Sequence, residues 1–220
     1  MKLNKRGGTT DEAYQKIKNM MYYNELVPGQ KLIYQDLADR LNVSNTPIIQ
    51  ALKRLEYLNL VCYKPNKGYF VGEITAIEVK ELYQAREALE VYLIPAIIKN
   101  LSSAKLKKIK NDSKVVHDDK DDRRLTILKD AKFHLSIAEI AENKTIYRIL
   151  SGIFEEICLK YRPEYMGDER IREVICEHRE LLDAINKRDV KEAIRATREH
   201  NNRGGRYVAN SLSKIRPVFI

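Results

Sequence analysis

Asp36-Leu-Ala-Asp-Arg-Leu-Asn-Val-Ser-Asn-Thr-Pro-Ile-Ile-Gln-Ala-Leu-Lys-Arg-Leu-Glu56 decides the fold of the N-terminal third. A short helix is predicted over Gln35–Leu41 and stops at Asn42-Val-Ser. A second opens at Ser44-Asn-Thr-Pro, with hydroxyl side chains to cap it and Pro47 in the first turn, where a missing N–H costs nothing. It continues as Ile48-Ile-Gln-Ala-Leu-Lys-Arg-Leu-Glu. Two helices joined by so short a turn form a helix-turn-helix, whose second helix enters a DNA major groove.

The flanks complete a module. Asp11 to Glu25 reads as a helix with Ile17, Met20 and Met21 on one side and Tyr14 close to it, capped by Thr10 or Asp11, and Val27-Pro-Gly-Gln breaks its pattern. Downstream, Leu60-Val-Cys-Tyr, Lys64-Pro-Asn-Lys-Gly and Tyr69-Phe-Val read as strand, glycine-containing turn and strand. Such a hairpin makes a wing, with Lys64 and Lys67 placed to meet phosphates or a minor groove. A winged helix-turn-helix over residues 1–73 is the expectation.

From Thr75 the chain reads as helices. Thr75-Ala-Ile-Glu caps a long one, Ile77 to about Asn100, on which Val79, Leu82, Leu89, Tyr92 and Leu93 recur at three and four and Pro95 interrupts. Ser102 or Ser103 starts the next, which gives way at His117-Asp-Asp-Lys-Asp-Asp; the charge run Asp118–Arg124 reads as a solvated loop. Further helices follow around Leu125–Glu142, Lys144–Tyr161, Asp168–Lys187 and Val190–Leu212. The predicted fold class is therefore mainly α: the winged module with its small β-hairpin, then an antiparallel helical bundle over residues 76–220.

Three of the four histidines fall in these helices. Asp130 and His134 are four residues apart, so both project from one helical face. His178 and His200 lie in two further helical runs. Three imidazoles and one carboxylate suit zinc, nickel, iron or manganese, with zinc or nickel foremost. His117, in the charged segment, reads as a surface residue. Asp130 has a neighbouring cation in Lys129, and Arg86 has a helical ion-pair partner in Glu90.

Composition sets outer limits. The 220 residues carry a formal net charge of +9, of which residues 1–75, with 11 Lys/Arg and 7 Asp/Glu, contribute +4. That balance permits an anionic partner such as nucleic acid without identifying one. No apolar run approaches membrane-spanning length, and the basic start Met1-Lys-Leu-Asn-Lys-Arg lacks the apolar stretch of a secretory signal, so a cytoplasmic protein is expected. Cys62, Cys158 and Cys176 are odd in number and widely spaced, which fits reduced, partly buried thiols.

Pro28-Gly-Gln-Lys-Leu, Asp36 through Pro47, Ala51-Leu-Lys-Arg-Leu-Glu and Pro65-Asn-Lys-Gly resemble, in pattern and order, the winged helix of the GntR family of bacterial transcription regulators. The resemblance implies that Ser44, Thr46, Arg54, Lys67 and Gly68 contact DNA or shape the wing. Two positions where the family carries arginine are Asn45 and Ile49 here. Asn45 and Gln50 are candidate readers of adenine edges instead, and Ile49 suits a thymine methyl or the core.

Farther on, Tyr83-Gln-Ala-Arg-Glu-Ala-Leu-Glu, Asp130-Ala-Lys-Phe-His with Ala141-Glu-Asn-Lys, and Glu177-His-Arg-Glu-Leu-Leu-Asp-Ala-Ile with Arg198-Glu-His resemble the FCD effector domain of the FadR-type members. That resemblance implies that Asp130, His134, His178 and His200 hold a divalent metal ion and that Arg86 pairs a small carboxylate effector. It also implies a homodimer acting on near-palindromic double-stranded operator DNA, most often as a repressor. Where the family continues after His200 with an apolar residue, this chain has Asn201-Asn-Arg-Gly-Gly-Arg, so that wall of the pocket departs from the family's pattern. Two other uses of the cluster stand beside this one: a metal that is itself the signal or only structural, and a metalloenzyme in which the ion activates water. No general base or nucleophile constellation supports the enzyme, so none is expected.

Overall fold

A computed structural model describes residues 9–115 and 123–213 and divides the chain into two compact units, one reaching Glu73 and including Leu159–Arg162, the other holding the rest. In the first unit, α1 (Thr10–Tyr22) is capped by Thr9, not by Thr10 or Asp11. The Thr9 hydroxyl accepts from the Glu12 N–H while the Glu12 carboxylate accepts from the Thr9 N–H, so two orphan donors are satisfied reciprocally. Among three successive capping residues, the glutamate three positions after Thr9 selects it.

A second helix, α2 (Tyr34–Leu41), starts without a side-chain cap at Ile33 and ends at Asn42, whose φ of 54° is left-handed. Next comes α3 (Asn45–Tyr57), whose N-cap is Ser44 as expected, yet the serine side chain makes no capping hydrogen bond. The third helical residue is Pro47, which has no N–H to offer, and this removes one of the two donors such a cap uses. The wing is β2 (Val61–Lys64) paired antiparallel with β3 (Gly68–Val71). Its turn needs Gly68, which sits at φ 89°.

An additional strand, β1 (Lys31–Leu32), pairs with β3 through Lys31–Phe70 and Leu32–Tyr69, giving the order β1-β3-β2. Two residues are too few to display alternation, which is why the sequence did not announce it. Ile17 and Met21 of α1, Leu37 of α2, Ile48, Leu52 and Leu55 of α3, and Val61, Tyr69 and Val71 of the sheet share one core.

The second unit is a helical bundle. Its first helix, α4 (Ala76–Asn100), begins with a capping box between Thr75 and Glu78. It is followed by α5 (Ser103–Val115), α6 (Arg123–Ile140), α7 (Lys144–Lys160), a 3₁₀ turn at Pro163–Tyr165, α8 (Asp168–Asn186) and α9 (Val190–Ser213). The helix α9 runs antiparallel along α4: Arg188 donates to the carbonyls of Ile98 and Leu101, and Asn201 reaches Glu90. Both α8 and α9 also pack together, as do α5 and α6 and α4 and α6.

Two expectations fail here. The charge run does not stay a loop to its end, because Arg123 and Arg124 already belong to α6, and Arg124 is buried with its guanidinium on the Cys158 carbonyl. Residues 117–122, including His117, lie outside the described residues. Nor does α4 bury its three-four apolar stripe. Val79 and Leu93 are inside, Leu82 and Leu89 are half-buried, and Tyr92 is 70% exposed, while the charged Arg86 and Glu90 are buried. All three cysteines are free thiols: Cys158 buried, Cys62 half-buried and Cys176 exposed.

Because Leu52 is fully buried at the centre of the first unit's core, Leu52→Ala is expected to destabilise that unit by about 2–5 kcal/mol. Urea unfolding followed by circular dichroism measures it, and a cost below about 1 kcal/mol would mean the core is not packed around α3 as described.

Candidate metal centre

Asp130 and His134 occupy successive turns of α6, His178 lies in α8, and His200 in α9. The antiparallel run of α9 along α4 and its packing on α8 bring all four side chains to the middle of the bundle. One donor atom from each lies within 4.8 Å of those of the other three. Asp130 Oδ1 approaches His178 Nε2 at 3.2 Å, without the alignment of a hydrogen bond, and His134 Nε2 at 3.9 Å. His178 stacks on Phe133 with ring centroids 4.1 Å apart, and His134 stacks on Phe154 at 5.5 Å.

What separates these residues from ordinary core histidines is the absence of partners. His134 Nε2, both ring nitrogens of His178 and Asp130 Oδ1 are buried with no hydrogen bond. Native interiors rarely leave polar atoms in that state, since each costs about 1–3 kcal/mol. Burial drives the His134 imidazole well below its usual range and the His178 imidazole downward as well, in both cases against the pull of Asp130. Burial would raise the Asp130 carboxyl, but the His178 contact and the adjacent imidazoles outweigh it and hold it well below the usual carboxylate range. Neutral imidazoles and an ionised carboxylate are the forms that ligate metal ions. The donor set fits a divalent cation.

Several residues around this cluster were not singled out from the sequence. His200 Nδ1 lies 2.8 Å from Glu177 Oε2; a carboxylate only accepts, so Nδ1 carries the proton and Nε2 keeps a lone pair that can bind a cation. Glu177 is in turn gripped by Arg170 in a two-bond fork at 2.7 and 2.8 Å. Burial would raise this carboxyl, but the bonds from His200 and Arg170 bring it down to about 2. The spacing of Arg170 and Glu177, seven residues and two turns apart on α8, is a signal that the sequence did contain.

Arg86, on α4, is 2% exposed, and its guanidinium lies over the rings of Phe154 at 4.2 Å and Tyr83 at 4.9 Å. Its Nε donates to Glu90 Oε1 at 3.3 Å, so the helical ion pair foreseen with Glu90 forms, while Nη2 has no partner. Arg86, Asp130, His200, Tyr83, Arg170 and Tyr207 are among the residues lining a cavity of about 40 Å³. Gly204 lines the same cavity. A Cβ on Gly204 would come within 2.8 Å of Tyr83 Cε1, so the Tyr83 ring lies against α9 only because no side chain is there.

In the winged unit, Ser44, Asn45 and Thr46 are exposed at the start of α3, with the Asn45 amide donating to Gln35 Oε1 at 3.3 Å. Gln50 is exposed and accepts from the Thr10 hydroxyl, while Ile49 is half-buried. Arg54 is paired with Asp11 at 2.7 Å and lies 4.0 Å over the Tyr14 ring, which ties it to α1. Lys67 is exposed at the wing tip beside Gly68, and Lys64 lies over the Phe70 ring.

Comparison with known proteins places this arrangement. The FCD domain model matches residues 81–203, and the model of bacterial regulatory proteins of the gntR family matches residues 9–71. The chain belongs to the GntR family. Its bundle is an FCD domain, and it is a DNA-binding transcription regulator, not an enzyme. This GntR regulator is 24% identical over 207 residues to the transcriptional regulator YdhC of Bacillus subtilis, covering 92% of each chain. It is 25% identical over 181 residues to McbR of Escherichia coli, covering 79% of this chain and 80% of McbR. The solved structure of E. coli McbR shares the fold with a TM-score of 0.74 at 19% identity, over 94% of this chain and 99% of that one.

Removing His178 from the GntR regulator tests the missing partners directly. In the presence of chelator, His178→Leu is expected to melt at or above the wild-type temperature, because two unsatisfied buried nitrogens are deleted. A drop of several degrees in differential scanning calorimetry would mean those nitrogens are satisfied by the protein itself.

Proposed function

We propose that this GntR regulator is ligand-responsive: its FCD domain holds a divalent metal ion, zinc or nickel foremost, on Asp130, His134, His178 and His200, and a small carboxylate bound beside it changes operator affinity. The observation that carries this reading is the convergence of four donor atoms within 4.8 Å of one another, with buried atoms of Asp130, His134 and His178 left without a hydrogen bond. Bound there, a divalent ion supplies a Lewis-acidic centre for an anionic oxygen. The protein supplies the rest. Glu177 and Arg170 hold the His200 ring with Nε2 free, Phe133 and Phe154 keep the His178 and His134 rings in place, and Arg86 Nη2 offers a donor to a carboxylate.

On the DNA side, the reading assigns residues 1–73 to operator binding and 76–220 to metal, effector and dimerisation. Ser44, Asn45, Thr46 and Gln50 at the front of α3 meet the major groove, Arg54 steadies α1 against α3 or meets phosphate, and Lys67 with Gly68 places the wing. A homodimer would set two recognition helices on successive half-sites, and repression is its proposed consequence. Support for self-association comes from α4, where Ile77, Ala85, Ala88, Tyr92 and Pro95 fall on one face and are all exposed, Ile77 at 72%. Among the described residues no helix is long and apolar enough to cross a membrane.

A second reading, in which the metal alone is the signal, draws on the size of the cavity. At about 40 Å³ it has room for about three waters, so an organic effector would need the wall around Tyr83 to give way. Either ligand acts only through a difference in affinity for two states of the domain.

Operator selection from randomised duplexes tests the assignment of contacts. Asn45→Ala is expected to change the preferred bases, whereas Lys67→Ala weakens binding to all sequences and lowers the salt dependence by about one counterion. Uniform weakening by both substitutions would contradict the assignment. The effector arm is tested on the selected operator: small carboxylates should release the metal-loaded wild type but not Arg86→Ala, and release by metal alone would favour the second reading.

A further inference from the structure

The Arg86–Glu90 pair is half made. In an arginine, Nε–H and one Nη2–H point the same way and form a fork that matches the two oxygens of a carboxylate. Glu90 is 7% exposed and four residues along the same helix, placed to take both. Yet it accepts only from Nε, at 3.3 Å, and Nη2 is left buried without a partner. An unfinished bidentate pair in a dry interior calls for a cause, because closing it would satisfy a buried cation at no cost in chain entropy.

A second group bound to Glu90 is Asn201. Its side-chain Nδ2 donates to Glu90 Oε2 at 2.7 Å and to the Thr197 carbonyl of its own helix at 3.1 Å, so both amide hydrogens are used. This fixes the amide the right way round: flipped, its oxygen would face a carboxylate. Asn201 is 1% exposed, and its Oδ1 is itself buried without a partner. Two unsatisfied atoms, Asn201 Oδ1 and Arg86 Nη2, therefore accompany one short bond to Glu90 Oε2. The remaining oxygen, Oε1, also stands 3.7 Å from His134 Nδ1, so the same grip sets the carboxylate beside a ligand histidine.

We infer that Asn201 is a positioning residue: by occupying Glu90 Oε2 it keeps the Arg86–Glu90 pair open, so that Arg86 Nη2 stays available to a carboxylate bound at the centre. Asn201 touches neither the proposed metal nor the proposed carboxylate; it acts through Glu90. An apolar side chain at this position would release Oε2, the fork would close, and Arg86 would be spent on its own helix. The inference rests on the proposed carboxylate site for its consequence, but its structural core, the open pair, does not.

The test therefore has two readouts. In a crystal structure of Asn201→Leu, Arg86 is expected to bond Glu90 through both Nε and Nη2; Asn201→Ala, which asks less of the packing, serves the same purpose where the leucine does not fold. A folded variant in which Arg86 keeps its single bond overturns the inference, whatever the metal does. The second readout is the visible spectrum of the full chain loaded with Co²⁺ and titrated with acetate. Asn201→Leu is expected to need on the order of tenfold more acetate for the same spectral change, the loss of one charge-assisted hydrogen bond. The neighbouring Asn202→Ala should titrate as wild type. Closure of the pair with unchanged acetate response would remove Asn201 from carboxylate binding and overturn its positioning role. A wild type that takes up no cobalt would defeat the metal reading, and the positioning role with it, leaving the closed pair as a packing effect.

Discussion

Asp130, His134, His178 and His200 converge in the middle of the helical bundle, and buried polar atoms of the first three are left without a hydrogen bond. The rings of Phe133 and Phe154 lie against His178 and His134, and the nearby carboxylates are already engaged. Glu177 is fully engaged by Arg170 and His200, and Glu90 by Arg86 and Asn201. A bundle held together only by apolar burial would gain stability by replacing these residues. Keeping them is understandable where a cation gathers the donors, since its binding energy is then also folding energy.

The sequence was most legible where local chemistry dictates structure. The helix-turn-helix follows from Asn42 as a left-handed stop and Pro47 in the first turn, the wing from Gly68, and the long helix from the Thr75–Glu78 box. The clustering of the proposed ligands was legible because Asp130 and His134 share a helical face and the two motifs around His178 and His200 could be matched to a known pattern. What escaped lies in tertiary context. The strand β1 exists only because β3 offers it an edge, since two residues have no period of their own. The helix α4 reads as amphipathic through Leu89 and Tyr92, yet the face it buries carries Arg86 and Glu90, because those charges find partners on α9 and in the rings of Tyr83 and Phe154. Arg124 misled in the same way, ending a charged run in sequence but lying inside the bundle in space. Neutralisation across helices is invisible to a single-sequence reading.

The departures of this chain from the family pattern acquire physical roles when set in the fold. Asn201, in a place where an apolar residue was expected, sits on Glu90 instead of merely lining a wall. The Gly204-Gly205 pair lets the Tyr83 ring lie against α9. Asn45 and Ile49 replace two arginines on the reading helix, which lowers the positive charge there and shifts the proposed recognition from guanine toward adenine and thymine edges. The regulator thus keeps the family's frame while changing the chemistry at both of its proposed ligand-facing surfaces.

Elemental analysis of the purified protein, beside its Asp130→Ala/His178→Ala variant and before any chelator treatment, tests the central claim most directly. About one divalent metal ion per wild-type chain, absent from the folded variant, is the expected result. No metal in the wild type, with folding intact and none taken up on re-addition, would contradict a metal centre in the bundle and leave its unpartnered histidines without an explanation.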